Sequence, residues 1–102
     1  MNDKIYSIDE IKTKLRELLS ETEVLEVVLF GSYAKNEATI NSDIDLVIDT
    51  NEKLMGLKLF SLISKIENAL EKDIDAFEKA EIIEGSKIEE EIKKYGIVIY
   101  EK

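Results

Sequence analysis

Two aspartates, Asp43 and Asp45, flank a single isoleucine within the stretch Phe30 to Asp49, FGSYAKNEATINSDIDLVID. At the start of a strand this spacing sends both side chains to one face, with Cα atoms roughly 6–7 Å apart. Ile44, Leu46 and Ile48 then point the other way, into a core. Carboxylates held together on a half-buried face repel each other unless a cation stands between them. Paired acids of this kind suit a two-metal site, in which ions about 3.5–4 Å apart clamp the attacking and leaving oxygens. By itself, S-D-x-D is more simply read as a turn into a strand, with Asp43 capping and Asp45 solvated.

The residues ahead of the pair add to it. Gly31 lets the backbone turn sharply and approach a ligand closely, and Ser32 would open a short helical turn with free N–H groups and a hydroxyl for an anion. A phosphate cradle without a G-x-x-x-x-G-K-[ST] motif is one reading; an ordinary strand-to-helix turn is the other. Lys35 could touch a phosphate or stand free on the surface. The chain has no His and no Cys. That removes the commonest general base, the thiol nucleophile and the usual zinc ligands. Any metal must be hard and oxygen-bound, which points to Mg²⁺ or Mn²⁺.

These residues need elements to position them. Ser7 with Glu10 reads as a capping box opening a helix, and Ile8, Ile11, Leu15, Leu18 and Leu19 recur at helical spacing to about Ser20. Val24 to Phe30 is a β-branched, apolar run and reads as a strand, with a turn or two of helix after Gly31. Ile44 to Thr50 is a second strand. Asn51 is placed to cap a long helix to about Leu70, with Leu54, Leu57, Ile63, Ile66 and Leu70 inward and Phe60 and Leu62 widening the stripe. Asp73 to Phe77 resembles a short third strand, Lys79 to Glu84 a helical turn stopped by Gly85. Ser86 with Glu89 is another capping box, opening a helix that ends at Tyr95 and Gly96. Ile97 to Tyr100 closes the chain as a strand. The order predicts an α/β (α+β) fold, a small mixed sheet flanked by helices. Its 102 residues form one domain.

The net charge of −9 argues against direct nucleic-acid binding, which needs a basic face, and suits a basic protein partner. No run approaches the ~18 apolar residues of a membrane span. The start, Met1 to Ile5, shows no apolar leader, so a cytoplasmic location is expected.

In combination, Gly31, Ser32, Ala34, Lys35, Ala38, Ser42, Asp43, Asp45 and Leu46 resemble the signature of the DNA polymerase β-like nucleotidyltransferases. The nearest likeness is to the minimal nucleotidyltransferases (MNT domains), strongest over residues 24–50 and looser to the closing strand. Asn36 stands where the family has Gly; Asn tolerates a left-handed backbone, so the turn survives. The resemblance implies a third acid in an apolar-Asp-apolar setting on a neighbouring strand. Ile74-Asp75-Ala76 fits, with Asp73, of the same strand parity, as its rival. It implies that Asp43, Asp45 and Asp75 hold two Mg²⁺ ions, that Gly31, Ser32, Ser42 and Lys35 hold the nucleotide, and that Asp75 orients or deprotonates the acceptor hydroxyl. It implies AMP transfer from ATP to a tyrosine of a HEPN ribonuclease toxin, with the chain acting as antitoxin in a hetero-oligomer. Two alternatives stay open: transfer to a small-molecule hydroxyl, and a toxin-binding module without catalysis. Asp49, the acids Glu89 to Glu91, and Tyr95 and Tyr100 read as structural; Tyr33 packs over the loop or faces a partner.

Overall fold

The computed structural model describes residues 3–102. Met1 and Asn2, which enter only the reading of the leader, lie outside the described residues. The first helix, α1 (Ile8–Leu19), opens as its sequence requires. The Ser7 hydroxyl accepts from the Glu10 N–H at 3.1 Å, and the Glu10 carboxylate accepts from the Ser7 N–H at 2.9 Å. Ile11, Leu15 and Leu19 form its buried stripe. There follow β1 (Glu26–Phe30), the single turn α2 (Gly31–Ala34), β2 (Ile44–Asp49), α3 (Leu57–Leu70), β3 (Ile74–Glu78), a 3-10 turn (Lys79–Glu81), α4 (Lys87–Tyr95) and β4 (Ile97–Glu101).

The four strands form one mixed sheet in the order β3-β2-β1-β4. Strand β1 is antiparallel to both β2 and β4, while β2 and β3 run parallel. The parallel pair needs a crossover, and α3 supplies it. Helices α1 and α3 pack together against one face, where Val27, Leu29, Leu46 and Ile48 meet Ile11, Leu15, Leu62 and Ile66 in a closed core. Two tyrosine hydroxyls tie distant pieces of chain to this layer: Tyr6 donates to the Leu70 carbonyl at 2.7 Å and Tyr100 to that of Leu19 at 3.0 Å. The alternation along β1 and β2 turns Val28, Phe30, Asp45 and Val47 toward the opposite face, which α2 and α4 cover in part.

Most expected elements are present, and the departures have local causes. The β1 ladder begins at Glu26, although Val24 ahead of it is fully buried. Asn51 does not cap α3. It and Glu52 sit at positive φ (53° and 60°), and the helix starts six residues later at Leu57 after Gly56. The backbone donors of this segment are taken elsewhere: Thr50 and Leu54 donate their N–H groups to Glu78 and to the Thr50 hydroxyl, and Asn51 to Asp49. Leu57 (86% exposed) and Phe60 (68% exposed) fall on the solvent side, because at about 3.6 residues per turn they are out of phase with the inward stripe. The buried stripe is Leu59, Leu62, Ile66 and Leu70. Ser86 caps α4 at the Glu89 N–H, but the Glu89 carboxylate reaches back to the Gly85 N–H, so the box is only half formed.

Candidate active site

Gly31 ends β1 at φ +71°, directly beside the residue that pairs with Asp45 across the ladder, Phe30. A Cβ on Gly31 would overlap the Asp45 carboxylate, coming within 2.9 Å of its Cγ. Both the left-handed backbone and the contact demand glycine here. The bend and the acid are therefore one structural unit: the chain turns at Gly31 because the Asp45 side chain fills the space a larger residue would need. Asn36, at φ +59°, takes the left-handed position its side chain tolerates, and the loop keeps its turn without glycine.

The parallel register places Asp75 directly opposite Asp45, with Ile44 opposite Ile74 and Leu46 opposite Ala76. Asp45 and Asp75 thus share a sheet face on adjacent strands. Asp43 lies just before β2 and is exposed, as are Asp73 and Asp75; Asp45 is half-buried. The electrostatics show how these groups meet. Burial, followed by the charges of Asp75, Asp43 and Glu91, pushes the Asp45 carboxyl up to about 6, and Lys35 opposes the shift. Asp73 contributes its carbonyl to the Ile44 N–H at 3.0 Å and does not figure among the groups that perturb Asp45. The apolar-Asp-apolar setting thus coincides with the position facing Asp45. Among the described residues no three acidic side chains already converge as a closed ligand cage. Asp45 and Asp75 stand opposite each other on one sheet face with Asp43 just ahead of β2, and Lys35 partly offsets their charge at Asp45.

The remaining sequence candidates are placed as follows. Ser32 is half-buried in the α2 turn, its carbonyl accepting from the Glu37 N–H. The Ser42 hydroxyl closes the turn before Asp43, accepting from the Thr39 N–H at 2.9 Å. The buried Lys72 donates to the Ile40 carbonyl at 2.9 Å, which pins the loop that delivers Asp43. Tyr33 is buried and belongs to the core cluster. Asp49, at the far end of β2, accepts from the Asn51 N–H and pairs loosely with Lys79. Lys35 is not free: its ammonium lies 2.8 Å from the Glu91 carboxylate and 5.2 Å from the centre of the Tyr95 ring. Glu91 and Glu89 are therefore not a solvated face of α4; Glu89 is tied to Gly85 and Lys93. Glu91 and Tyr95 are the residues near the site that sequence reasoning missed. Their spacing of four puts them on one side of a helix, but nothing in the sequence says that this side meets Lys35.

The sequence profile described as Polymerase beta, Nucleotidyltransferase matches residues 13–102. The chain belongs to this family of nucleotidyltransferases. A provisionally named protein adenylyltransferase of Methanocaldococcus jannaschii is 40% identical over 80 residues, covering 74% of this chain and 82% of that one. Protein adenylyltransferase MntA of Thermococcus cleftensis is 31% identical over 85 residues, covering 79% and 86%. The fold is shared with a solved complex of tri-AMPylated Shewanella oneidensis HEPN toxin and MNT antitoxin, at TM-score 0.68 and 20% identity, over 93% of this chain and 73% of that one. No helix among the described residues is long and apolar enough to cross a membrane.

Proposed function

We propose that this chain is a protein adenylyltransferase that moves AMP from ATP to a tyrosine hydroxyl of a HEPN ribonuclease toxin, and so acts as its antitoxin. The observation that carries the reading is the register pairing of Asp45 with Asp75, beside Asp43 and against the Gly31 bend. The names of the M. jannaschii and T. cleftensis relatives support protein adenylylation. The fold shared with an MNT antitoxin bound to an AMPylated HEPN toxin supports the partner, and a charge of −9 suits a basic one. We read residues 1–102 as one catalytic domain working in the cytoplasm, in a hetero-oligomer with the toxin.

Magnesium fits the donor set: the ligands are hard carboxylate oxygens, and the mutual repulsion around Asp45 is what a divalent cation relieves. Asp43, Asp45 and Asp75 would hold two ions, whose chemistry when bound is neutralisation of charge at the α-phosphate and on the departing pyrophosphate. The chain's own residues do the rest. Gly31, Ser32, Ser42 and Lys35 hold the β- and γ-phosphates through backbone N–H groups, hydroxyls and one ammonium. Asp75 orients the acceptor hydroxyl and takes its proton. A new bond forms between the acceptor oxygen and the α-phosphorus, the bond from that phosphorus to the bridging oxygen breaks, and pyrophosphate leaves with the electron pair. Positioning and charge stabilisation supply most of the rate.

The test is to incubate the chain and its HEPN partner with ATP and Mg²⁺ and weigh the partner. A mass increase by whole AMP units, lost in Asp43→Ala/Asp45→Ala, is expected. No increase, with toxin inhibition intact in that variant, would leave a pure binding module. Repeating the incubation with each ribonucleotide reads base preference.

A further inference from the structure

Lys35 sits one turn beyond the Gly31–Ser32 bend and, among the described residues, is the cation whose charge opposes the acids around Asp45. Its position is not left to solvent. The ammonium is held at 2.8 Å by the Glu91 carboxylate and lies over the Tyr95 ring, both from α4, which packs against α2. Glu91 and the Lys35 side chain are each about two-thirds withdrawn from water (35% and 28% exposed), which sets this pair apart from the rim pair Lys93–Glu89, whose lysine is 74% exposed. The hydrogen bond that Lys35 donates to Glu91 also raises the Lys35 pKa, so the ammonium stays fully charged.

An ammonium has three donors. Glu91 occupies one, and the Tyr95 ring meets the cation on another side through its quadrupole. The rest remain for an anion arriving at the bend. A lysine stem has close to the largest rotamer entropy of any side chain, and fixing it only on binding weakens a complex. We propose that Glu91 is a positioning residue for the nucleotide: it restrains Lys35 beside the phosphate bend, so that the triphosphate meets a lysine already in place. The proposal rests on the transferase reading above. It gives α4, far along the chain from the signature motif, a part in binding the triphosphate. Glu91 is tied to Lys35 by its carboxylate, and its charge is also among those that raise Asp45. The alternative role for the same contact, a carboxylate that withholds Lys35 from the phosphates, has the opposite consequence.

The experiment is calorimetric titration of the full chain with Mg²⁺ and a non-transferable ATP analogue, on wild type, Glu91→Ala, Glu91→Gln, Lys35→Ala and Lys35→Ala/Glu91→Ala, with melting curves for each. Wild type binds; its failure to bind would sink the transferase reading itself, not this inference. Glu91→Ala is expected to weaken binding about three- to tenfold, with a melting temperature near wild type because a part-exposed ion pair contributes little stability. Glu91→Gln, which keeps an oxygen acceptor for Lys35, recovers most of the loss. In the Lys35→Ala background, Glu91→Ala brings no further weakening, because the residue it restrains is gone. Unchanged or tighter binding in Glu91→Ala, or an equal loss with and without Lys35, would overturn the proposal. Should Glu91→Ala melt early, the Gln variant and the Lys35 background still decide it.

Discussion

The two ends of the β2–β3 pair hold carboxylates in opposite states. At one end Glu78 is 1% exposed and fully satisfied. It accepts from the Thr50 N–H at 3.1 Å and hydroxyl at 2.5 Å, and from the Ala80 N–H at 3.2 Å. At the other end Asp45 is half-buried among Asp75, Asp43 and Glu91, and is pushed up to about 6. Both acids belong to the same sheet and lie within a few residues of each other along it. One fixes the loop into α3, and its partners account for its lone pairs. The other is repelled by its neighbours, an arrangement that the fold alone has no use for. The repulsion around Asp45 is what the Mg²⁺ of the proposed reaction would relieve.

The largest effect that sharpens this contrast should come from the frustrated end. Asp45→Asn is expected to lower transfer to the partner by about a thousandfold, measured by mass gain over time, while the protein still folds. Asp75→Asn should act in the same range and Asp73→Asn within a few-fold of wild type. A large effect at Asp73 with none at Asp75 would break the assignment of the third acid. Gly31→Ala comes next. Its Cβ must displace the Asp45 carboxylate and adopt a left-handed backbone, so activity should fall about a hundredfold and stability by about 1–3 kcal/mol, read by denaturant melts.

Much of this was legible in the residues. The D-x-D pair, the glycine at the bend and the apolar-Asp-apolar stretch each depend on local geometry, and strand alternation carries that directly. The cap of α1 and the order of strands were equally local. What escaped depends on distant chain. Asn51 has the chemistry of a cap, but its helix begins at Leu57 because Thr50 and Leu54 give their donors to partners that include Glu78, 28 residues from Thr50. Leu57 and Phe60 read as part of the stripe, yet the helix buries Leu59, Leu62, Ile66 and Leu70, a phase that leaves both outward. Glu91 belongs to an acid run that looks solvated until the fold brings α4 against Lys35. Asp73 and Asp75 have the same parity, and only the register of β3 against β2 separates them.

At the satisfied end the expected effects are on stability, not chemistry. Glu78→Gln or Thr50→Val leaves buried polar groups unpaired and should cost about 1–3 kcal/mol, with transfer per folded molecule unchanged. If either abolished transfer while the fold held, the two ends would not be separate. The pH dependence is smaller and has a definite sign. The folded carboxyl of Asp45 titrates near 6 against an ordinary 3.8. Its contribution to stability is therefore fully present below about 3.8 and lost as pH rises through about 6. Solvent at this half-exposed group reduces that loss to roughly 1 kcal/mol. Metal-free protein should melt lower at pH 7 than at pH 5 on this account. Asp45→Asn should flatten the difference, and Mg²⁺ should raise the melting temperature at pH 7 in wild type but not in Asp45→Asn. Smallest of all, Phe60→Ala on the exposed side of α3 should shift stability by no more than about 0.5 kcal/mol.

The most direct measurement is the titration of the Asp45 carboxyl by carbon-detected NMR, without and with Mg²⁺. A carboxyl that titrates near 6 in metal-free protein and drops below the ordinary aspartate range when the ion is added is the predicted result. An Asp45 that titrates as a free aspartate, or one that ignores Mg²⁺, would contradict the idea that these acids are assembled around a cation.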